Sequence, residues 1–294
     1  MSEIRRGKKE LRPTQDVLIS EKALTLPTIW SLSDALWDKV ITVLAELDPP
    51  KRQGRKRSDP RAIFNAICFR LRTGCQWNHL PREFPDDSTV HRTFQRWVSL
   101  DVFQRIWALL VETCGDVGWE WQAADGAMGK ARLGGDAIGP NPTDRGKNGT
   151  KRSVLVEASG EPLAVVIAGA NVHDTKLLDA TLQALIVERP NPTPEEPQHL
   201  CLDKGYDNPT GWAATEKYGY IPHIRRIGEE KWDETKEKRH PARRWVVERT
   251  LAWLSKCRAL LVRYDKKSTN FLALIQLACA LLWYRRLYRL SILR

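Results

Sequence analysis

Three acidic residues stand in sequence contexts that favour metal chemistry. Asp203 follows the apolar run 199–202 and precedes a Gly-Tyr turn and a proline, a pattern that predicts a buried strand ending in a turn. Asp125 ends an aromatic-rich run, and Glu248 lies in an amphipathic stretch that predicts a helix. Because ligands collect at the carboxyl ends of strands, we hypothesise that these three acids hold divalent metal ions together.

The chemistry that such acids support is phosphodiester cleavage or transfer. Two metal ions about 4 Å apart can activate a water or hydroxyl and stabilise a leaving oxygen, and carboxylates are ligands that Mg²⁺ accepts. Three carboxylates at one sheet edge repel one another unless a cation is present. Each acid also has an ordinary interpretation, because an Asp after a strand is often a turn residue and Glu248 can pair with Arg244 or Arg249. Asp207 and Asp144 lie near the same motifs and are the alternative choices.

Composition bounds the class of protein. The 294 residues, 42% of them hydrophobic, predict about two domains with a sizeable core. The net charge of +11 favours a polyanionic partner such as nucleic acid, although ribosome-associated and membrane-surface proteins share this balance. The six cysteines lack zinc spacing, which indicates reduced thiols in a cytosolic protein. No signal peptide is visible, and the apolar run 271–284 is too short for a bilayer, so we expect no membrane span.

The N-terminal part predicts a polar, basic arm over 1–27 and a helical domain over 28–116. Helices are expected over 31–47, 60–72, 88–97 and 103–113. The middle two, joined through a Gly-containing turn, resemble a helix-turn-helix in which 88–97 is the recognition helix; an ordinary helical hairpin is the alternative. The candidate DNA contacts on this helix are His91, Arg92, Gln95 and Arg96.

A basic loop follows the first helix. Such a flexible loop can follow a phosphate backbone, and a solvated linker is an equally good interpretation. Its five basic residues are Lys51, Arg52, Arg55, Lys56 and Arg57.

From 117 to 294 the periodicity predicts three strands, a helix, a strand, a helix, a strand and a long helix carrying Glu248. The first strand is expected to end at Asp125. The Gly-rich stretch 129–149 is expected to be a loop near a charged ligand, offering Arg145 and Lys147.

Three further expectations concern this second part. The helix 176–188 is predicted to have Asp174 as its N-cap, with His173 in an orienting or structural role; metal ligation by this pair is the alternative. Trp245 and Trp253 are expected to lie in the core.

Several ordered motifs then carry a family resemblance over roughly residues 30–290. They are Gly74–Phe84, Asp125-Gly126, Gly139–Lys147, Ala170–Asp174, Leu202–Asp207 and Pro241–Thr250. In these motifs the sequence resembles the DDE transposases of bacterial insertion sequences, in the branch called insertion sequence family five. The resemblance implies an α/β, RNase H-like mixed sheet with flanking helices, preceded by an all-α helix-turn-helix-like domain.

The resemblance also implies a function and a set of site residues. It assigns Asp125, Asp203 and Glu248 as catalytic ligands of two Mg²⁺ ions, for which Mn²⁺ can substitute. It implies cleavage at terminal inverted repeats, joining of 3′-hydroxyl ends to target double-stranded DNA, and a homodimer or higher assembly on DNA in the bacterial cytoplasm, associated with the nucleoid. A non-catalytic DNA-binding derivative and a nuclease without strand transfer are the alternatives.

The residues around the last acid depart from the family in part. Related enzymes often carry Tyr, Arg, Glu and Lys there, whereas this chain has His240 before the proline and Ser255 where a Lys is expected. Arg244 and Lys256 lie one turn before and two turns after Glu248 on the same helical face, where either can hold a DNA phosphate.

Overall fold

The computed structural model describes residues 32–51, 53–54, 56–224 and 243–293. Its first part contains four helices, and each begins close to its predicted start. The Ser33 hydroxyl caps the first by accepting a hydrogen bond from the Leu36 N–H, and Asp59 caps the second, which has a proline in its first turn. The helices are α1 (Asp34–Leu47), α2 (Pro60–Thr73), α3 (Asp87–Ser99) and α4 (Val102–Cys114).

The second part is built on a mixed sheet. Strand β3 lies between β4 and β1 and is antiparallel to both, whereas β5 is parallel to β1 and β6 is parallel to β5. Two short strands extend the sheet, β2 beside β3 and β7 beside β1. The strands are β1 (Trp121–Ala131), β2 (Gly139–Pro140), β3 (Asn148–Val156), β4 (Pro162–Gly169), β5 (His199–Leu202), β6 (Ile221–Ile224) and β7 (Val262–Arg263).

Helices cover both faces of this sheet. Successive strand residues point to opposite faces, and neighbouring residues of β3 contact different helices: Ser153 accepts a hydrogen bond from Thr181 of α5, whereas Arg152 donates one to Ser255 of α7. The predicted α/β, RNase H-like mixed sheet with flanking helices and a preceding helical part is confirmed. The helices are α5 (Asp174–Gln183), α6 (Pro209–Lys217), α7 (Trp245–Ser255), α8 (Arg258–Leu261) and α9 (Ser268–Arg289).

Helix α9 joins the two parts of the chain in one hydrophobic core. The indole N–H groups of Trp107 in α4 and Trp283 in α9 both donate to the carbonyl oxygen of Pro162, at 3.2 and 2.6 Å. By length and composition alone α9 is apolar enough to cross a membrane, but 67% of its most apolar window is buried inside the protein. It is therefore a helix of the protein core.

Four predictions about local structure are wrong. Strand β1 does not end at Asp125 but continues to Ala131, because residues 126–130 pair with β3 and ladder hydrogen bonds need no side chains. The stretch 129–149 is accordingly not all loop, and helix α5 begins at 174 and ends at 183 rather than spanning 176–188. Trp245 is 56% exposed instead of buried, because it starts α7 on the outer side, where Arg249 lies 4.7 Å from its ring.

Candidate active site

Asp125 and Asp203 occupy equivalent positions on neighbouring parallel strands. Ala123 of β1 pairs with Cys201 of β5. Asp125 lies two residues further along β1, and Asp203 lies two residues after Cys201, directly after the end of β5. Neighbouring strands are about 4.8 Å apart, and residues at equivalent positions share a face. The strand register therefore brings the two carboxylates together.

The electrostatics of Asp125 agree with this arrangement. Burial raises the pKa of Asp125 to about 6, the Gly126 N–H opposes that rise with a 2.7 Å hydrogen bond, and the charge of Asp203 adds to it. Arg244 lowers the pKa of Asp125. Asp203 accepts a 2.7 Å hydrogen bond from the Gly205 N–H, which fixes its carboxylate at the turn after β5.

Helix α7 covers the sheet face that carries Asp125. In the register of β1 and β3, Asp125 is opposite Val154, and Val154 shares its face with Arg152 because side chains alternate along a strand. Arg152 donates a 2.6 Å hydrogen bond to Ser255 at the end of α7. The helix therefore lies on the same side of the sheet as the Asp125 carboxylate.

Glu248 lies in the first turn of α7, about two turns before Ser255, which places it on the same side of the helix. Its side chain is 51% exposed and pairs with Arg244 at 3.1 Å. This is one of the two ion pairs that the sequence analysis gives as the ordinary, non-catalytic interpretation of Glu248. The same Arg244 also acts electrostatically on Asp125.

In the part of the chain that the structure describes, no group of three His, Cys, Asp or Glu side chains is gathered closely enough to hold a metal ion. Asp125 and Asp203 supply two neighbouring carboxylates, which fit one side of such a site. The participation of Glu248 stays a prediction, because its carboxylate faces Arg244.

A further acid, Asp174, lies against Gly126, the residue that follows Asp125. A Cβ atom on Gly126 would be 2.0 Å from Oδ1 of Asp174, so only glycine leaves room for this carboxylate. Oδ2 of Asp174 pairs with the buried Lys151 at 2.8 Å. The prediction that Asp174 is the N-cap of α5 is wrong, since His173 is the capping residue and the Asp174 carboxylate turns to Lys151 instead.

Tyr206 lies next to these acids and is fully buried. Burial raises the pKa of its hydroxyl, and the charges of Asp174, Asp125 and Asp203 raise it further. Among the described residues, neither this hydroxyl nor Oδ1 of Asp174 has a hydrogen-bond partner. Sequence reasoning missed Tyr206 and Lys151 as members of the site, although a tyrosine in the turn directly after Asp203 was a signal for the first.

The basic residues of the helical part divide into two groups. Arg57 and Arg96 both pair with Asp48, at 2.5 and 2.9 Å, and Trp97 donates a hydrogen bond to the same carboxylate. Arg96 therefore connects α3 to the end of α1, and Arg57 connects the loop before α2 to the same point. Lys51, Lys56 and Arg92 are exposed and stay predicted DNA contacts, and Arg52 and Arg55 lie outside the described residues.

His91 and Gln95 are half-buried. The His91 ring stacks on Trp77 with centroids 4.9 Å apart, and the Gln95 amide lies 3.3 Å from the His91 ring. Both residues line a cleft between α3 and the loop before α9. Among the predicted DNA contacts of the second part, Arg145, Lys147 and Lys256 are exposed, and Arg244 is paired with Glu248.

Comparison with known proteins agrees with this architecture. The family model "Transposase DDE domain" matches residues 111–283, and "Putative transposase of IS4/5 family" matches residues 32–107. The "Putative transposase for insertion sequence element IS402" of Burkholderia cepacia is 34% identical over 161 residues, which are 54% of this chain and 74% of that protein.

Solved structures are matched over most of the chain only at low identity and low TM-score. The Mos1 mariner paired end complex with Mn is matched over 95% of this chain and 80% of that chain, at 11% identity and a TM-score of 0.27. The Mos1 strand transfer complex is matched over 100% and 82%, at 12% identity and a TM-score of 0.26. The family models and the relative from Burkholderia cepacia together show that the chain belongs to the DDE transposases of IS4/5-type insertion sequences.

Proposed function

We propose that the protein binds the terminal inverted repeats of its element, cleaves the element ends and joins their 3′-hydroxyl groups to target DNA. The observation that supports this most is the placement of Asp125 beside Asp203. Two adjacent carboxylates, one of them buried with its pKa raised to about 6, are costly to keep in a fold and typical of a catalytic site.

Asp125, Asp203 and Glu248 are the proposed ligands of two Mg²⁺ ions, for which Mn²⁺ can substitute. When bound, the ions make a water or 3′-hydroxyl nucleophilic and stabilise the leaving oxygen. Asp125 and Asp203 supply carboxylates that already share a sheet face. Glu248 joins them by giving up its ion pair with Arg244, which costs little because both side chains are about half exposed.

Arg244 has two roles in this proposal. While Glu248 is paired with it, the guanidinium neutralises the site and lowers the pKa of Asp125. Once Glu248 turns to the sheet, the guanidinium is released for a DNA phosphate, for which its planar set of donors is well suited. Lys256, Arg145 and Lys147 are exposed and hold further phosphates.

The partners follow from the same chemistry. The substrate is double-stranded DNA, comprising the inverted repeats and the target, and the net charge of +11 favours its capture. Joining two ends to one target requires at least two active sites, so we propose a homodimer or higher assembly on DNA, in the cytoplasm at the nucleoid.

The proposal is tested with a supercoiled plasmid that carries the element's ends, incubated with the full chain and Mg²⁺. We expect joined products with the natural protein and none with Asp125→Asn, Asp203→Asn or Glu248→Gln. Asp179→Asn is the matched control, because Asp179 of α5 forms an exposed ion pair with Lys217 of α6, and it should join DNA normally. Nicks without joined products would indicate a nuclease, and binding without any cleavage would indicate a non-catalytic DNA-binding protein.

A further inference from the structure

A cleft of about 1070 Å³ separates the helical part from the end of the sheet. One wall consists of Trp77 together with His91 and Gln95 of α3. The other wall is the loop 264–267, which connects β7 to α9. Its size is at the upper end of the range for small-molecule sites, so a ligand with several ring or phosphate groups can enter.

The loop 264–267 is held rigidly. The buried Arg263 guanidinium donates hydrogen bonds to the carbonyl oxygens of Asp265 and Lys266, at 2.8 and 2.9 Å. Gly135 packs against the same loop so closely that a Cβ atom there would be 2.1 Å from the Lys266 oxygen. Tyr264 is nevertheless 52% exposed. An aromatic ring presented to solvent on a fixed backbone loses little conformational entropy when a ligand binds.

A buried cation lies at the cleft. Arg70 is 6% exposed, pairs with Asp265 at 3.1 Å and lies 4.3 Å from the ring of Trp77. Its Nε and Nη1 atoms have no hydrogen-bond partner among the described residues. Lys266 and Lys267 line the same cleft and are exposed, so three cations face two acids, Asp87 and Asp265, and the cleft favours an anion.

The aromatic groups of the cleft differ in availability. Trp77 already has His91 stacked on it and Arg70 over its ring, whereas half of Tyr264 is open to solvent. A free aromatic ring beside two lysines is the combination that recognises a base together with its phosphate.

We infer that this cleft binds an unpaired nucleotide of DNA, with its base on the Tyr264 ring and its phosphates at Lys266 and Lys267; the inference rests on the proposed function for the identity of the nucleic acid. The site is separate from the catalytic acids. Strand β7 pairs with β1 at Lys130 and Ala131, which lie about 20 Å along the strand from Asp125. A DNA strand covers this distance in about six nucleotides at roughly 3.4 Å each.

The probe for this site is a fluorescent twelve-residue oligothymidine, titrated with the full chain and followed by anisotropy. Loss of one base–aromatic stack predicts roughly 5- to 150-fold weaker binding by Tyr264→Ala. Tyr264→Phe keeps the ring and should bind within about twofold of the natural protein. Trp212→Ala is the matched control, because Trp212 is a partly exposed aromatic residue of α6 outside the cleft, and it should bind normally.

The lysines are tested through the salt dependence of the same titration. A double variant with Lys266→Ala and Lys267→Ala should give a plot of log K against log salt that is less steep by about 0.7 for each phosphate that no longer has a lysine beside it. Lys176→Ala, an exposed lysine of α5, should leave the slope unchanged. Circular dichroism spectra of all variants should match that of the natural protein, because the altered side chains are exposed.

Equal binding of oligothymidine by Tyr264→Ala and the natural protein would overturn the inference. The inference would also be overturned if Tyr264→Ala lost as much affinity for a blunt twelve-base-pair duplex, which has no unpaired base, as for oligothymidine. Tighter binding of oligouridine than of oligothymidine by the natural protein would overturn it too. The outcome is independent of catalysis, since anisotropy follows binding alone and neither cleavage nor joining of DNA is measured. If binding depends on Tyr264 but the plasmid is not joined, the cleft binds a nucleotide and the proposed function is refuted. If the plasmid is joined but binding does not depend on Tyr264, only the inference about the cleft is refuted.

Discussion

Gly126→Ala is expected to destabilise the protein through a collision with Asp174. The new Cβ atom would be 2.0 Å from Oδ1 of Asp174, and distances below 3.0 Å are essentially never seen, so the carboxylate must move by about 1 Å or more. That movement stretches the 2.8 Å contact with the buried Lys151. Loss of a buried ion-pair partner costs about 3–5 kcal/mol. Because a third of the Asp174 side chain is exposed, we expect about 2–3 kcal/mol.

The assay is a double-mutant cycle measured by urea denaturation. Gly126→Ala is compared in the natural protein and in an Asp174→Ala background, where the obstructing carboxylate is absent. There the substitution should cost less than about 0.5 kcal/mol, giving a coupling of about 2 kcal/mol between the two positions. An equal cost of Gly126→Ala in both backgrounds would refute the reasoning, since the strain would then come from the backbone and not from Asp174.

Three further predictions concern stability. Burial raises the pKa of Glu157 from 4.5 to about 7, so the folded protein holds this proton more tightly than the unfolded chain. The free energy of unfolding should therefore fall as the pH rises from about 4.5 to 7. Glu157→Gln should flatten that part of the pH profile of thermal unfolding. Asp48→Ala removes the acceptor for hydrogen bonds from three residues and should lower the free energy of unfolding by about 1–3 kcal/mol in urea titrations. A loss under about 0.5 kcal/mol would contradict a stabilising role of these bonds. Trp283→Ala should lower the free energy of unfolding by about 3–5 kcal/mol, and Trp245→Ala should lower it by under about 1 kcal/mol. Equal losses would contradict the full burial of Trp283 and the 56% exposure of Trp245.

Asp125 and Asp203 could be identified as candidates because Asp125 ends an aromatic-rich run and Asp203 follows an apolar run, and both runs predict strands. The register of the parallel pair then brings them together, because Ala123 of β1 pairs with Cys201 of β5 and each aspartate follows two residues later in the chain. The α/β class and most of the helices followed from periodicity, and Ser33 and Asp59, residue types that commonly cap helices, begin the first two.

What could not be predicted depends on contacts distant in sequence. Residues 126–130 carry glycines that favour a loop, but pairing with β3 makes them a strand. The choice of His173 over Asp174 as the cap depends on Lys151, which lies 23 residues from Asp174 in the chain. Trp245 is apolar and helical by pattern, and its exposure reflects how α7 sits on the sheet rather than any local feature.

The central claim is that Asp125, Asp203 and Glu248 bind divalent cations as one site. It is tested most directly by electron paramagnetic resonance of free Mn²⁺, titrated with the full chain in the presence of DNA carrying the element's ends. We predict that the natural protein and Asp179→Asn deplete the free Mn²⁺ signal equally, whereas Asp125→Asn, Asp203→Asn and Glu248→Gln each weaken binding by at least about tenfold. Unchanged Mn²⁺ binding by any one of these three folded variants would contradict the claim.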